Sequence, residues 1–387
     1  MTAAIYETGA EPSPGSPCIP AGPEGTRAWC TVDLAALRHN AALLRARAGG
    51  PLVPMVKADA YGLGVEAIVR ALGAPFHGET PAVDAPWALG VAAVQEGETL
   101  RALGVSGRVL CTSPVLPDEL PRMAQSLLTP SLHRESDVLA WRALTDAPWH
   151  LSIDTGMHRA GLGWRHVASV QSVVALHPPE GVFTHFHSAD RPNGSRELQE
   201  ARFRGALEAL ALPVGTLRHT DNSWAQVARS PNPHELARPG LALYGSPGDS
   251  VLGLRPVVHV HARVVDVHDL EAGDTVSYDA TYTADRPRRV ATVALGYGDG
   301  YRRALSNRGH MLLRGHRLPV VGLVTMDMTM VDVTGVPCEV GDVATALGAD
   351  LAGSGCLTLD DVAAMGGLSP YELLVGWRLR LPRVYLP

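Results

Sequence analysis

The chain has 387 residues, 46% of them apolar and 19% charged, which allows two or three folded domains and excludes the chain as a whole being a disordered tail or a small disulfide module. Its 33 basic and 39 acidic residues leave a formal charge of -6 with no Lys/Arg-rich run, which argues against broad electrostatic binding to nucleic acid or an anionic membrane. Residues 1–26 have neither a basic n-region nor an apolar h-region and read as a flexible tail, not a secretory signal. From about Arg27 to Tyr244, short apolar runs alternate with amphipathic stretches of helical length. The predicted strands are 52–56, 87–91, 108–111, 127–129, 150–153, 181–184, 217–219 and a last one running into Ala237, eight in all. Helices are predicted between them, among others over 65–72, 92–103, 134–144 and 196–211. This alternation points to an α/β fold with a (β/α)8 barrel over 27–248, a doubly wound open sheet being the competing arrangement. After Gly248 the segments 257–267, 274–283, 289–295, 310–313, 319–324 and 329–333 are short, β-branched and punctuated by Gly, Pro, Asp and Asn. They predict a mainly β domain over 249–387, while 29–33 (WCTVD) can serve as an extra strand of either domain. No apolar run approaches the roughly 20 residues that span a bilayer. The five cysteines share no CxxC or other metal-ligand spacing, which suits reduced thiols in the cytoplasm.

A βα barrel builds its active site where the strands end at their C-terminal face. Lys57 ends the first strand (VPMVKADAYG), Asp154 and Arg159 follow the fifth, His185 the sixth, His219, Asn222 and Ser223 the seventh, and Arg238 the eighth. Lys57 is the only lysine in the chain. Directly after an apolar strand it either lies in a desolvated pocket, where a lowered pKa makes it a Schiff-base former, or snorkels from the barrel rim. The Arg238-Pro239-Gly240 turn and the Asn222-Ser223 step offer N–H groups and a hydroxyl at strands seven and eight, where barrels commonly place a phosphate, although Pro-Gly is also a plain loop signal. In the β domain Tyr278 and the run Gly296 to Tyr301 (GYGDGY) stand out. The latter lacks the spacing and βαβ setting of a dinucleotide fingerprint and reads as a tight turn. His259 and His261 alternate with valines and have no carboxylate or cysteine partner nearby in sequence, so a packed pair is expected, not a metal site. The same holds for metal at His185 and His187, with a catalytic role left open for His185.

Taken together, VPMVKADAYGLG, IDTGMHRAGLG, FTHFHSAD, the Asn222-Ser223 step, ARPGLALYG, VSYDATYTA, GYGDGY, RGHRLPVVGLVTMDMTMVDVT and LPRVY resemble the alanine racemase family of fold-type III, pyridoxal-phosphate-dependent enzymes. The resemblance runs in order from about Trp29 to Tyr385. It implies interconversion of L-alanine and D-alanine with pyridoxal 5'-phosphate as cofactor, D-alanine serving peptidoglycan synthesis, in a homodimer whose active sites combine the barrel of one subunit with the β domain of the other. Lys57 resembles the cofactor-holding lysine and Tyr278 the tyrosine supplied by the partner subunit, these two being the implied catalytic pair. Tyr61, Ser223, Gly240 and Leu241, with Asn222 beside them, match positions around the cofactor phosphate. Arg238 matches the arginine at the pyridine nitrogen, with His185 and His219 as its expected hydrogen-bonding neighbours. Arg159 and Met326 match substrate contacts, with Asp327 beside them, and Tyr297 matches a tyrosine of the partner-derived entrance.

Inversion needs a proton taken from one face of Cα and returned to the other, hence two acid–base groups, Lys57 and Tyr278. A phenol acts as a base near neutrality only in a cationic neighbourhood, for which His185 and Arg159 are the expected sources. Two positions depart from the family pattern. Ser152 replaces a lysine that many members carbamylate to orient the arginine matching Arg159, so an anion or water is expected there instead. Leu379 stands where some members have a phosphate-binding, pocket-narrowing tyrosine, which keeps a broader amino-acid racemase, accepting serine for example, as the alternative. A barrel decarboxylase is disfavoured because Cys338 sits in a Pro-Cys-Glu turn and Tyr278 in a racemase-like motif; a cofactor-binding protein without turnover is disfavoured by the long β domain.

Overall fold

Parallel pairing organises the first half of the chain. In the computed structural model, which describes residues 22–228, 235–247 and 252–387, the strands Leu89–Val91, Val109–Pro114, Thr129–Leu132, His150–Asp154, Gly181–Phe183 and Leu217–His219 pair in that order, every pair parallel. Parallel bridges then join Arg218 to Glu235, Ala237 to Leu52 and Met55 to Gly90, so the segment 52–55 is paired on both sides. That closure separates the eight-stranded barrel from an open sheet, which would leave two unpaired edges. Val53 N–H donates to Ala237 O (2.7 Å) and Val56 N–H to Gly90 O (2.8 Å) across the closing seams. Strands buried on both faces read as continuous apolar runs, as Leu89, Val91, Val109, Leu110, Leu151, Ile153 and Val182 do here, all of them buried. Between the strands the helix Ser195–Leu210 turns Gln199, Phe203, Ala206 and Leu210 inward, the spacing of one helical face.

The predicted fourth strand sits two residues later than 127–129. Leu127 adopts a φ of 53° and is exposed, and Leu128 N–H donates back to Met123 O (2.9 Å), so these residues close the preceding helix Leu120–Gln125 before the strand begins.

The chain divides into two compact units, one of residues 40–60 and 65–243, the other of residues up to 39, 61–64 and 244–387. The predicted tail falls mostly outside the described residues, as do Cys18 and the boundary residue Gly248. In the second unit the 13-residue strand Val258–Leu270 is central, antiparallel to Ala28–Asp33, Arg288–Val293 and Val343–Ala349. Ala28–Asp33 also pairs in parallel with Arg383–Leu386. The WCTVD strand therefore belongs to the β unit, and the barrel starts later than the expected residue 27. Arg314 and Gly315, both with positive φ, make the tight hairpin between His310–Leu313 and His316–Pro319. The expected strand 274–283 is broken into Thr275–Val276 and Tyr282–Thr283, because Ser277, Asp279 and Ala280 take left-handed φ values of 68°, 58° and 47°. Tyr278 projects from that turn. No helix of the described residues is long and apolar enough to cross a membrane.

His259 and His261 form the expected packed pair: both are buried, their rings are parallel to within 6° at 6.4 Å, His259 Nδ1 accepts from Ala349 N–H (3.0 Å), and His261 Nδ1 lies 3.0 Å from Thr345 Oγ1. Burial pushes His259 down to about 4 and His261, with His259 adding a little, to about 3. Since these values lie below the unfolded value of about 6.5, the unfolded chain binds protons first as pH falls, and stability drops from about pH 6.5 downward by about 1.4 kcal/mol per pH unit for each residue. Unfolding of the protein at pH 7 and pH 5 is expected to show that loss, with a flatter slope in a His259→Asn, His261→Asn variant. An unchanged slope in the variant would place the acid sensitivity elsewhere.

Candidate active site

Lys57 opens a left-handed turn at the barrel mouth. Ala58, Asp59, Ala60 and Tyr61 have φ values of 53°, 54°, 52° and 58°, and Gly62 follows at 84°. Left-handed helical backbone costs roughly 1–2 kcal/mol per non-glycine residue, so the turn must be held from outside. Glu96, in the first turn of helix Val94–Ala102, does this: its Oε1 accepts from Ala58 N–H (2.7 Å), and its Oε2 accepts from Ala92 (2.7 Å) and Ala93 (3.1 Å). Asp59 Oδ1 accepts from Val65 N–H (2.7 Å) and Ala60 N–H donates to Val56 O (2.9 Å), closing the turn. The sequence reading missed Glu96; its third position in a helix was the available signal, pointing to a cap. Desolvation lowers the Lys57 pKa, the Arg159 cation lowers it further, and Glu96 opposes both. Tyr61 belongs to the β unit, where it is buried with its ring 4.9 Å from that of Tyr244.

Arg238 lies buried inside the barrel. Its Nη1 donates to His219 Nδ1 (2.8 Å) and to His219 O, and its Nη2 to Thr184 O (2.7 Å) and Thr220 O (3.4 Å). Burial brings its pKa down to about 10, so it remains a cation at neutral pH. His185 departs from expectation. Among the described hydrogen bonds it makes none to Arg238; its main-chain O accepts from Gln199 Nε2 (3.1 Å). Burial, with the cations Arg238, Arg159 and Lys57, depresses it to about 3, so it is neutral and does not supply the expected positive charge.

Ser223 Oγ accepts from Gly240 N–H (2.9 Å) and Ala242 N–H (3.1 Å), joining the end of strand seven to the turn after strand eight, and leaves the hydroxyl proton free to donate. Leu241 is fully buried in the following 3-10 turn Leu241–Tyr244. Asn222 is committed to local structure: Oδ1 accepts from Ala225 N–H (3.0 Å) at the start of helix Ser223–Ala228, and Nδ2 donates to Phe186 O (3.3 Å). Both bonds hold the chain next to Ser223. Arg159 is exposed on the loop after strand five, whose turn Asp154 Oδ1 pins by accepting from Gly156 (2.9 Å) and His158 (3.1 Å) N–H. At Gly161, with φ of 111°, an added Cβ would lie 3.0 Å from Ser152 Oγ, so the loop packs closely on that serine.

The other four predicted residues lie on the β unit, on loops joined to one another. Tyr297 N–H donates to Thr325 O (3.0 Å), and Gly298 N–H to Met326 O (2.8 Å). Ser277 Oγ donates to Leu323 O (2.7 Å), tying the Tyr278 turn to the same segment. Arg380 binds Asp299 through Nε (2.6 Å) and Nη2 (2.9 Å) and Asp327 through Nη1 (2.6 Å), while Asp299 Oδ2 also accepts from Gly296 N–H (2.8 Å). Asp299 and Arg380 thus lock the GYGDGY turn to the Met326-Asp327 loop; they were missed because their partners are far apart in sequence. Tyr278 is 70% exposed, Tyr297 41% and Met326 54%. Such large side chains held outward on pinned loops are suited to meeting another surface.

The chain matches the model of the alanine racemase N-terminal domain over residues 32–247 and that of the C-terminal domain over 257–385. It is 40% identical over 363 residues to an alanine racemase of Deinococcus radiodurans, covering 92% of this chain and 98% of that protein. Among solved structures it is similar to the alanine racemase of Streptomyces lavendulae, with a TM-score of 0.84 at 32% identity over 94% of this chain and 98% of that one. It is also similar to that of Bartonella henselae with covalently bound pyridoxal phosphate, with a TM-score of 0.83 at 28% identity over 93% and 100%. Both domain models fall in order on the barrel and the β unit, and the relatives match almost end to end: the chain belongs to the alanine racemase family.

Proposed function

We propose that this chain interconverts L-alanine and D-alanine with pyridoxal 5'-phosphate, using Lys57 and the partner subunit's Tyr278 as its two acid–base groups. The observation that carries the reading is the sole lysine of the chain, desolvated at the mouth of a barrel that also buries Arg238. The residues present fit the cofactor. An amine whose charged form is disfavoured suits its aldehyde, a fixed guanidinium suits its ring nitrogen, and the Ser223 hydroxyl with Tyr61, Gly240 and Leu241 would hold its phosphate. When bound, pyridoxal phosphate supplies the conjugated electron sink that makes the Cα–H of an attached amino acid acidic.

Lys57 moves the proton on one face of Cα and Tyr278 on the other. Arg238, which does not readily give up a proton, would leave the ring nitrogen of the bound cofactor unprotonated, which would limit charge delocalisation into the ring and disfavour transamination. Arg159 and, from the partner subunit's β domain, Met326 would contact the substrate, with Arg380 holding Asp327 and the main-chain O of Met326 and so fixing that loop. Because His185 is neutral, Arg159 is the remaining one of the two cations expected beside the catalytic phenol. The alanine reading is the one the relatives carry; nothing in their names favours the wider, serine-accepting range raised by Ser152 and Leu379.

The working unit is a homodimer with shared sites in the cytoplasm. Support comes from the outward Tyr278, Tyr297 and Met326, and, for a reducing compartment, from the free thiols Cys30, Cys111, Cys338 and Cys356. The test is complementation. Lys57→Ala and Tyr278→Phe homodimers should each form D-alanine from L-alanine at no more than about a hundredth of the normal rate by chiral chromatography. Subunit exchange between them should restore about a quarter of normal activity, since half the dimers are mixed and each carries one intact site. No recovery despite demonstrated exchange would place both groups in one subunit.

A further inference from the structure

Beyond His219, the proposed reaction leaves unused a file of buried polar side chains that crosses the barrel interior. His219 Nε2 lies 2.7 Å from His150 Nδ1, His150 Nε2 lies 3.5 Å from Glu180 Oε2, and Arg108 Nη1 meets Glu180 Oε1 at 3.0 Å. His150 and His219 are fully buried, Glu180 is partly buried and Arg108 is half exposed, stacked 4.5 Å over Trp87. Glu180 immediately precedes strand Gly181–Phe183, so the file runs from Arg238 to the barrel rim opposite Lys57. The sequence makes room for it. A Cβ on Gly181 would lie 2.6 Å from His150 Nδ1 and Cε1, and the His219 ring stacks on Phe183 at 4.6 Å.

Donor and acceptor chemistry allows this file only one direction. A guanidinium can only donate, so His219 Nδ1 accepts from Arg238 and its proton sits on Nε2. That proton is donated to His150 Nδ1, which leaves the His150 proton on Nε2, facing the carboxylate. Two neutral imidazoles in series could be polarised either way; an acceptor-only carboxylate at the far end selects the direction that Arg238 requires. Burial lowers the pKa of both histidines, in keeping with neutral rings.

We propose that His150 and Glu180 are positioning residues for Arg238, the rim carboxylate fixing the tautomers of His150 and His219 so that the guanidinium keeps a single hydrogen-bonded orientation inside the barrel. The consequence for turnover rests on the reading that Arg238 serves the cofactor ring nitrogen; the tautomer assignment does not. In 15N-histidine-labelled enzyme, with and without pyridoxal phosphate, both rings should give the Nε2–H pattern in two-dimensional 1H-15N spectra. Glu180→Gln keeps the shape and removes the charge, and in the holoenzyme should lower kcat about fivefold with KM within twofold, the effect of losing the anion that faces His150 Nε2 at 3.5 Å. His150→Leu, which interrupts the file while filling its space, should lower kcat further and disturb the His219 ring signals. An Nδ1–H form at either ring, or a Glu180→Gln enzyme with unchanged kcat whatever its melting temperature, would overturn the proposal. Expected tautomers in a protein that neither binds the cofactor nor racemises alanine would instead sink the functional reading and leave the file intact.

Discussion

Replacing Lys57 with alanine is expected to abolish alanine racemisation, by about 10⁴-fold or more, and to remove the visible absorbance of covalently held pyridoxal phosphate. The size follows from losing two roles at once: the amine that captures the aldehyde and one of two proton-transfer groups, the second alone contributing about 10²–10⁴-fold. No other lysine exists in the chain to substitute. Lys57→Arg should be equally inactive, because guanidinium keeps its proton and cannot act as the nucleophile. Stability should move the other way. Desolvation and Arg159 depress the Lys57 pKa below its ordinary value, so below that value the folded state binds its proton less readily than the unfolded chain and the amine destabilises the fold at pH 7. The alanine variant should therefore melt no lower than the parent apoenzyme. Chiral chromatography, absorption spectra and melting curves check the three statements, and retained racemisation with retained absorbance would remove Lys57 from its role.

The barrel was legible because strands buried on both faces leave uninterrupted apolar runs, and the mouth residues because they stand where those runs stop. What depended on long-range pairing was not. Cys30 pairs with Val260 and Arg383, so nothing local assigns WCTVD to the β unit. The left-handed residues at Ser277, Asp279 and Ala280 hide inside a β-branched run that otherwise spells a strand. Glu96 looks like a helix cap and Glu180 like loop punctuation after two prolines, yet their carboxylates reach Ala58 and His150. The charge on His185 was misjudged for the same reason: burial beside Arg238 is a property of the packed barrel and not of FTHFHSAD.

Tyr278→Phe separates the two faces of the reaction. Its ring is 70% exposed in the single chain and its hydroxyl makes no hydrogen bond among the described residues, so losing the hydroxyl should change the stability of the isolated subunit by less than about 0.5 kcal/mol. Racemisation should fall about 10²–10⁴-fold. L-alanine and D-alanine have equal free energies, so kcat/KM must fall equally in both directions, and rates alone cannot say which face was lost. Hydrogen exchange can. In deuterium oxide, the enantiomer that presents its Cα–H to Lys57 should still exchange, since the amine can remove a proton and return a deuteron on its own side, while the other enantiomer should exchange no faster than it racemises. Proton spectra of each enantiomer incubated with the variant read this asymmetry directly. Equal exchange from both, with racemisation intact, would show that Lys57 serves both faces and that the exposed phenol on the β unit has some other use.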